Sequence, residues 1–435
     1  MAVTEADLAF MPAVEVARRV NAGELDPQAV VREHLARIER FNSRLNAYID
    51  LDSNAAGGRH GPLAGATVGV KESYQVTGLT WTWSSPKFRN QTAAADSAPV
   101  TQLKAAGAAV LGKTNAPELV ASVGTVSPIF GATQNPWRDG FTPGGSSGGS
   151  GAAVAAGLCS FAMGDDLGGS IRMPATCCGV VGFRPSPGRI PHDLGDPTGF
   201  DARGPLTRTA GDARAVYRLL ARGQSGEPVR LPERARLLLV ADTPIGMDDG
   251  PRVAVRRAAA ALAGAGHHIE DYRGWDPMPV ALSYKTVRRV TLAAWPGEPE
   301  EYGPAVRGLI TEGRPLGAVD YYLAHRDGLT AGQRLGDKLE EGWDAFLTPT
   351  IGLVPMRHEE VPAFLGEAWN QHVQFVLPVS YSKLPSISIP AGLAAGLPVG
   401  VMLTGRVGGE ELLLGLAEQL ESLPGFGYQR PPGFD

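Results

Sequence analysis

Residues 66–111 decide the fold class of this 435-residue chain. They contain the apolar run Ala66-Thr-Val-Gly-Val70, the alanine-rich segment APVTQLKAA at 98–106 and the apolar run Ala108-Ala-Val-Leu111. The two apolar runs predict short strands and the segment between them predicts a helix. The order strand, helix, strand is typical of an α/β protein.

The same alternation continues along the chain. Apolar residues at three- and four-residue intervals predict two N-terminal helices, at Leu8–Val20 and Pro27–Phe41, the second with Asp26 as N-cap and proline at its first position. Further predicted elements are strands at 236–240, 346–347 and 386–389 and helices at 249–263 and 409–421. We therefore expect one large α/β domain over residues 1–435, with a central mixed, twisted β-sheet covered by helices on both faces.

Composition and charge exclude several classes of protein. The net charge of -5 and the pI near 6.0 give no basic surface for nucleic acid. The first residues lack the pattern of a signal peptide, and the longest apolar run, 151–163, is too short to span a bilayer. Three cysteines form neither a disulfide framework nor a zinc site. We expect a cytoplasmic protein without a membrane segment, a metal or another cofactor.

The first of two glycine- and serine-rich segments is Pro143-Gly-Gly-Ser-Ser-Gly-Gly-Ser-Gly151. Its composition is that of a flexible linker. However, the good helix former Ala152-Ala-Val-Ala-Ala156 follows it directly. Glycines before a helix N-terminus expose backbone N–H groups to anionic atoms, so a binding loop is the alternative interpretation.

The second segment is Gly164-Asp-Asp-Leu-Gly-Gly-Ser-Ile-Arg-Met-Pro174. A run of consecutive N–H groups that ends at a serine can supply a nucleophile and an oxyanion hole together. The donors would be the amides of Leu167, Gly168, Gly169 and Ser170. The simpler structural alternative is a tight turn with a capping serine.

Two short motifs in the chain are misleading. Gly107-Ala-Ala-Val-Leu-Gly-Lys-Thr114 matches the P-loop pattern, but its variable positions are strand-like and Pro117 interrupts the required helix. Gly144-Gly-Ser-Ser-Gly148 matches the nucleophile elbow of α/β-hydrolases. That elbow needs a strand immediately upstream, and Asp139-Gly-Phe-Thr-Pro143 is a poor strand.

Residues 62–191 resemble the amidase signature family. The resemblance is carried by several motifs in the right order and spacing: PLAGATVGVK at 62–71, GKTNAPE at 112–118, GATQNPW at 131–137, the two glycine- and serine-rich segments, and CGVVGFRP at 178–185. Weaker similarity extends from the N-terminal helices to GLPVGVML at 396–403. The resemblance implies that residues 1–60 are N-terminal helices and that 62–191 is the catalytic core segment. Residues 270–330 are the least regular stretch, and we expect them to form a variable insertion on the substrate side.

The resemblance implies a Ser-Ser-Lys triad. Ser170 corresponds to the acylated nucleophile, Ser146 to a relay serine that follows a cis peptide bond after Gly145, and Lys71 to the base. A serine hydroxyl needs a positioned base, and a lysine can be that base when burial keeps it neutral. None of the eight histidines lies in a matching segment. The similarity also implies that Asp166, Arg172 and Ser147 support the loops.

The chain departs from the family pattern at three positions. Glu72 stands where aspartate is common, and Asp165 and Leu167 stand where small hydroxyl residues are common. Trp81 and Trp83 suggest an aromatic entrance to the site, although such a pair also fits packing within a strand.

These observations predict an amidase that hydrolyses a small-molecule carboxylic amide to an acid and ammonia or an amine, as a monomer or homodimer. One alternative is the glutaminase subunit of a tRNA-dependent amidotransferase, which works with partner subunits. Another is a catalytically silent binding protein on the same fold.

Overall fold

The computed structural model describes residues 5–191, 196, 198–221, 232–361 and 366–435. The described strands are β1 (Tyr48–Leu51), β2 (Thr67–Lys71), β3 (Ala109–Thr114), β4 (Val126–Ser127), β5 (Gly131–Ala132), β6 (Phe161–Asp166), β7 (Val181–Arg184), β8 (Ala202–Thr207), β9 (Arg236–Leu239), β10 (His268–Asp271), β11 (Ala345–Pro349), β12 (Ser386–Ala394) and β13 (Leu397–Gly405). The described α-helices are α1 (Glu5–Phe10), α2 (Ala13–Asn21), α3 (Pro27–Leu45), α4 (Ala98–Ala105), α5 (Gly148–Ala155), α6 (Arg172–Cys178), α7 (Ala210–Leu220), α8 (Asp249–Gly264), α9 (Met278–Ala293), α10 (Pro304–Gly313), α11 (Ala318–Glu340), α12 (Glu367–Val373), α13 (Val376–Tyr381) and α14 (Glu410–Glu421).

Eleven of these strands form one sheet, in the order β1-β3-β2-β6-β8-β7-β12-β13-β11-β9-β10, while β4 and β5 pair separately. At one end β2 runs parallel to both β3 and β6, and at the other end β9 runs parallel to both β10 and β11. The remaining neighbours in the large sheet are antiparallel. The predicted mixed sheet is therefore confirmed.

Both faces of the sheet are buried, as β9, β11 and β13 show. Leu237 and Leu239 belong to one apolar core together with residues of α7, α8 and α14, whereas Leu238 belongs to a second core with residues of α9, α11 and α13. Phe346 and Met402 join Leu238 in the second core. Because successive side chains of a strand point to opposite faces, the helices that contribute to the two cores lie on opposite sides. The single α/β domain with helices on both faces is confirmed.

Two predictions of secondary structure need correction. The predicted helix Leu8–Val20 is two helices, α1 and α2, because Pro12 has no N–H to donate and stands at the N-cap of α2. The stretch 270–330, predicted to be irregular, holds α9, α10 and the first half of α11. Its tryptophans and prolines lie mostly at helix ends and connections, so the helical periodicity of the segment is not apparent from its composition. Among the described helices, none combines the length and the apolar character that crossing a bilayer requires.

Candidate active site

The candidate site lies where two neighbouring parallel strands end. β2 pairs with β6 so that Val70 stands opposite Met163, and the strands end at Lys71 and Asp166. Parallel strands have their carboxyl ends at the same edge of a sheet, which is where ligands bind in α/β folds. This pairing brings Lys71 beside Asp165 and beside the glycine- and serine-rich segment that follows β6.

Lys71 is inaccessible to solvent, and its amino group has two side-chain partners. Nζ lies 2.7 Å from Ser146 Oγ and 2.5 Å from Asp165 Oδ1. Burial lowers the pKa of Lys71 because it disfavours the charged form, and the carboxylate of Asp165 opposes this shift without cancelling it. The side chain is thus held at Ser146 instead of being a solvated surface charge.

Asp165, at the sequence level only a departure from the family pattern, lies inside the site. Its Oδ1 faces Lys71, and its Oδ2 accepts a hydrogen bond from Ser73. Burial by itself would raise the pKa of Asp165, but Lys71, its cross-strand neighbour Arg203 and the hydrogen bonds together hold that pKa below its ordinary value.

The loop that carries Ser146 is buried and closely packed. The peptide bond Gly145–Ser146 is cis, as the family resemblance implies. A Cβ on Gly145 would lie 2.6 Å from Gly124 O, so this position has no room for a side chain. Thr125 Oγ1 donates to Gly144 O at 2.7 Å and so holds the backbone just before the cis bond in place. The flexible-linker interpretation of residues 143–151 is wrong, because the whole segment is buried and passes directly into α5.

Ser147 joins this loop to the segment that carries Ser170. Its backbone N–H donates to Ser170 O at 3.2 Å, and its Oγ donates to Asp165 O at 3.4 Å. Ser170 is only 8% exposed and lines a small recess. Ser170 Oγ makes no hydrogen bond to any described residue.

Asp166 organises the turn between β6 and α6. Its carboxylate accepts hydrogen bonds from the backbone N–H groups of Gly169, at 2.7 Å, and Ile171, at 3.1 Å. Its side chain also forms a two-point ion pair with Arg172, through Nε at 2.9 Å and Nη2 at 2.7 Å. Burial by itself would raise the pKa of Asp166, but Arg172, Arg184 and the backbone donors outweigh it and hold the pKa well below the ordinary range.

The bond from Gly169 to Asp166 corrects one part of the predicted oxyanion hole. A backbone N–H that already donates to a buried carboxylate at 2.7 Å is not available to an oxyanion. The amides of Leu167, Gly168 and Ser170 donate to no described residue and remain candidate donors. Gly169 instead supplies backbone freedom, since its φ of +114° is one that other residues rarely adopt.

Two buried arginines fix this turn to the rest of the domain. Arg172 donates through Nη1 to Val376 O at 3.1 Å and through Nη2 to Ser380 Oγ at 2.8 Å, both on α13. Arg184 Nε lies 3.5 Å from Asp166 Oδ1, and its Nη2 donates to Phe200 O at 2.6 Å. Arg184 belongs to one of the family motifs, but the sequence alone predicted no role for it. An arginine inside an apolar run was the signal that could have identified it, since such a charge needs a buried partner.

A cavity of about 400 Å³ opens beside Asp165 and Leu167. Its described lining includes Trp81, Trp83 and Trp295, with Arg288 and Thr291 of α9. The rings of Trp83 and Trp295 are 5.1 Å apart between centroids, and those of Trp81 and Trp83 are 6.3 Å apart. The recess that Ser170 lines also contains Val120, which lines the cavity too. Trp81 and Trp83 lie outside the strands, so the alternative of packing within a strand is wrong.

The two misleading motifs are structural. Within the pattern of a P-loop, Lys113 lies in the buried strand β3 and donates to the backbone carbonyls of Glu72, Tyr74 and Thr80, so it is not placed to bind phosphate. The pattern of a nucleophile elbow at 144–148 has no strand immediately before it in the described chain. Within the described residues, no group of three or more His, Cys, Asp or Glu side chains is arranged to hold a metal ion.

Comparison with known proteins relates the chain to amide-cleaving enzymes. The family model described as Amidase matches residues 29–414. AmiB2 of Mycobacterium tuberculosis (strain ATCC 25618 / H37Rv), a protein named as a putative amidase, is 33% identical over 476 residues, covering 98% of this chain and 98% of AmiB2. A glutamyl-tRNA(Gln) amidotransferase subunit of Synechococcus sp. (strain RCC307) is 31% identical, covering 93% of this chain and 96% of its own length. The solved structure of 6-aminohexanoate cyclic dimer hydrolase complexed with substrate superposes with a TM-score of 0.86 at 28% identity, covering 99% of this chain and 100% of that one.

Proposed function

This chain belongs to the amidase family, and from that membership we propose that it hydrolyses a carboxylic amide through an acyl-enzyme on Ser170, with Ser146 as relay and Lys71 as base. The observation that carries the proposal is the contact of Lys71 Nζ with Ser146 Oγ at 2.7 Å, between two side chains that are inaccessible to solvent. A buried amine held against a serine hydroxyl is the arrangement that proton removal by lysine requires.

The proposed reaction begins when Ser170 Oγ turns toward Ser146 and attacks the amide carbonyl carbon. The Ser170 proton passes to Ser146 Oγ while Ser146 gives its own proton to Lys71 Nζ. The oxyanion that forms is stabilised by the backbone N–H groups of Leu167, Gly168 and Ser170, of which each well-placed donor is worth about 3–4 kcal/mol. The proton then returns through Ser146 to the leaving nitrogen as the C–N bond breaks. Water releases the acid from Ser170 in the second half of the reaction.

The tryptophan-lined cavity supports a small-molecule amide with an aromatic or apolar group as substrate. Trp81, Trp83 and Trp295 offer flat apolar surfaces, and about 400 Å³ is enough volume for a compact ring-bearing molecule. Arg288 also lines this cavity. Its hydrogen bond to Leu119 O, at 2.6 Å, fixes the side of the cavity formed by these two residues.

A second candidate function is that of a glutaminase subunit in an amidotransferase. It is favoured by the 31% identity to the amidotransferase subunit from Synechococcus sp.. The aromatic wall, formed by Trp81, Trp83 and Trp295, favours the first function. Free glutamine has no aromatic or apolar group that would pack against these three rings. A catalytically silent binding protein is a weaker alternative, since Lys71, Ser146 and Ser170 are all present.

The experiment is an ammonia-release assay with phenylacetamide, acetamide and glutamine as substrates. We expect wild-type protein to release most ammonia from phenylacetamide and Ser170→Ala to release none above background. The Lys71→Arg variant should be almost as inactive, because a guanidinium stays protonated. Release from glutamine alone would favour the glutaminase, and full activity in Ser170→Ala would contradict the assignment of the nucleophile.

A further inference from the structure

We propose that Asp165 is a further catalytic residue and that Lys71 and Asp165 act together as the base, with Asp165 Oδ1 holding a proton of Lys71 while Lys71 receives the proton that leaves Ser170. The inference rests on the proposed function, because it concerns the proton path of Ser170 acylation. It starts from an observation that the triad does not use: Lys71 touches a carboxylate as closely as it touches the relay serine.

The geometry forms a continuous line of donors and acceptors. Lys71 Nζ is 2.7 Å from Ser146 Oγ on one side and 2.5 Å from Asp165 Oδ1 on the other. The second carboxylate oxygen of Asp165 is occupied by the hydroxyl of Ser73. This hydrogen bond orients the carboxylate, so that Oδ1 is the oxygen able to take a proton from Lys71.

Other charged and titratable groups surround the pair. Arg203 stands opposite Asp165 on the neighbouring strand β8, and its guanidinium stacks 3.8 Å from the ring centroid of Tyr74. The Tyr74 hydroxyl donates to Gly164 O, so it is engaged outside the pair. Arg203 favours the carboxylate form of Asp165, while Asp201 favours the charged form of Lys71. Both influences favour the ion pair, whereas burial favours the neutral form of each partner.

In the resting ion pair Lys71 is an ammonium and Asp165 a carboxylate. Transfer of one proton from Nζ to Oδ1 gives a neutral amine and a neutral acid. Because burial destabilises both charges, the free-energy difference between the ion pair and the neutral pair is smaller here than in water. Rotation about the Cε–Nζ bond turns the amine lone pair toward Ser146, which then passes on the proton of Ser170. When the C–N bond breaks, the proton leaves Lys71 through Ser146 to the departing nitrogen, and Asp165 returns its proton to Lys71.

In this pathway the removal of Asp165 shifts the pH profile in the opposite direction from that expected for a lysine acting alone. The ion pair and the neutral pair hold the same number of protons, so Lys71 need not lose a proton to solvent before it acts. Acylation should therefore stay high across neutral pH and fall only in the acid range where Asp165 becomes protonated. If Lys71 acted alone, the Asp165 carboxylate would only stabilise the ammonium form of Lys71. Removal of that carboxylate would then lower the pKa of Lys71 and move the onset of activity to lower pH.

The test is the rate of Ser170 labelling by an alkyl fluorophosphonate between pH 4 and 10, with the modified peptide identified by mass spectrometry. This probe needs activation of Ser170 but no matched substrate. We expect the wild-type rate to change less than threefold from pH 6 to 9. In Asp165→Ser and Asp165→Asn a rising limb should appear within the measured range, with at least a tenfold lower rate than the wild type at pH 6. Asp139→Asn, which removes an exposed carboxylate that pairs with Arg44, should match the wild type.

Two results would overturn the inference. One is a variant whose rate stays as constant as the wild-type rate from pH 6 to 9, or whose rising limb lies at a lower pH than that of the wild type. The other needs only the wild type, and so covers the case that the variants do not fold: a rate that rises about tenfold per pH unit between 7 and 9 would show that Lys71 itself must titrate. Absence of labelling at Ser170 at any pH would instead contradict the proposed function, so the two failures are distinguishable.

Discussion

Asp166 and Arg172 form an ion pair in which neither side chain is accessible to solvent, with the closest contact 2.7 Å long between Oδ1 and Nη2. The same carboxylate accepts the N–H groups that shape the turn before Ser170, and the same guanidinium binds α13. One buried pair therefore couples the position of Ser170 to the packing of the domain.

The first prediction is that breaking this pair destabilises the whole protein. Arg172→Met leaves the Asp166 carboxylate buried without its main partner, which should cost about 3–5 kcal/mol of unfolding free energy. Arg172→Lys should rescue only part of this loss, because an ammonium cannot make the two-point contact. Urea unfolding monitored by circular dichroism gives the values. The matched control is Arg326→Ala, since the exposed pair Arg326–Asp327 should contribute less than about 1 kcal/mol. A similar small change in both variants would contradict the prediction.

The depressed pKa of Asp166 predicts how this contribution depends on pH. In the folded protein the Asp166 carboxyl group stays charged at pH values where the aspartates of the unfolded chain, with a pKa of about 3.9, are already protonated. Its stabilisation is thus complete above about pH 5 and is lost progressively as the pH falls below about 4. The difference in unfolding free energy between wild type and Asp166→Asn should shrink over that range. A difference that is constant from pH 7 to pH 3 would show that Asp166 titrates normally.

A third prediction concerns the tight loop before Ser146. Gly145→Ala would place a Cβ 2.6 Å from Gly124 O and 2.7 Å from Ser122 O, which are backbone atoms that cannot easily move. We expect a loss of about 1–3 kcal/mol in stability and a reduction of ammonia release by more than tenfold. Gly308→Ala is the control, because that glycine lies in α10 with no atom near the new methyl group. It should be neutral or stabilise the protein by up to about 1 kcal/mol. Normal activity in Gly145→Ala would show that the loop tolerates a shift of Ser146.

The aromatic wall gives the fourth prediction. Trp295→Ala removes the ring that stacks edge-on against Trp83, so kcat/KM for phenylacetamide should fall about tenfold, equivalent to about 1.4 kcal/mol. Acetamide, which cannot reach the wall, should be cleaved within about twofold of the wild-type rate. Trp295→Phe should retain most of the activity toward phenylacetamide. An equal loss toward both amides would indicate that Trp295 supports the fold instead of binding substrate.

The sequence predicted those features of the fold and site that local patterns specify. The strand at 66–70, the helix after Asp26-Pro27 and the mixed sheet follow from apolar periodicity and helix capping, and the positions of Lys71, Ser146 and Ser170 follow from motifs in fixed order. Arg172 was also identified, because it lies within the same motif as Ser170.

What could not be predicted depends on contacts between distant segments. The closeness of Asp165 to Lys71 follows from the parallel pairing of β2 with β6, which neither strand specifies alone. The occupation of the Gly169 amide by Asp166 depends on the conformation of the turn, and a glycine pattern does not indicate which N–H groups remain free. Trp295 joins Trp83 only because the connection after α9 returns to the site, and a lone tryptophan between helices gives no sign of its partner.

The most direct test of the proposed mechanism is to identify the residue that carries the acyl group during amide turnover. Wild-type protein is mixed with phenylacetamide, quenched in acid within milliseconds and digested, and the peptides are examined by mass spectrometry, with Ser147→Ala as the matched control. We expect a phenylacetyl group on Ser170 in the wild type and in Ser147→Ala, and none in Ser170→Ala. An acyl group on Ser146 or Ser147, or continued turnover by Ser170→Ala, would contradict it.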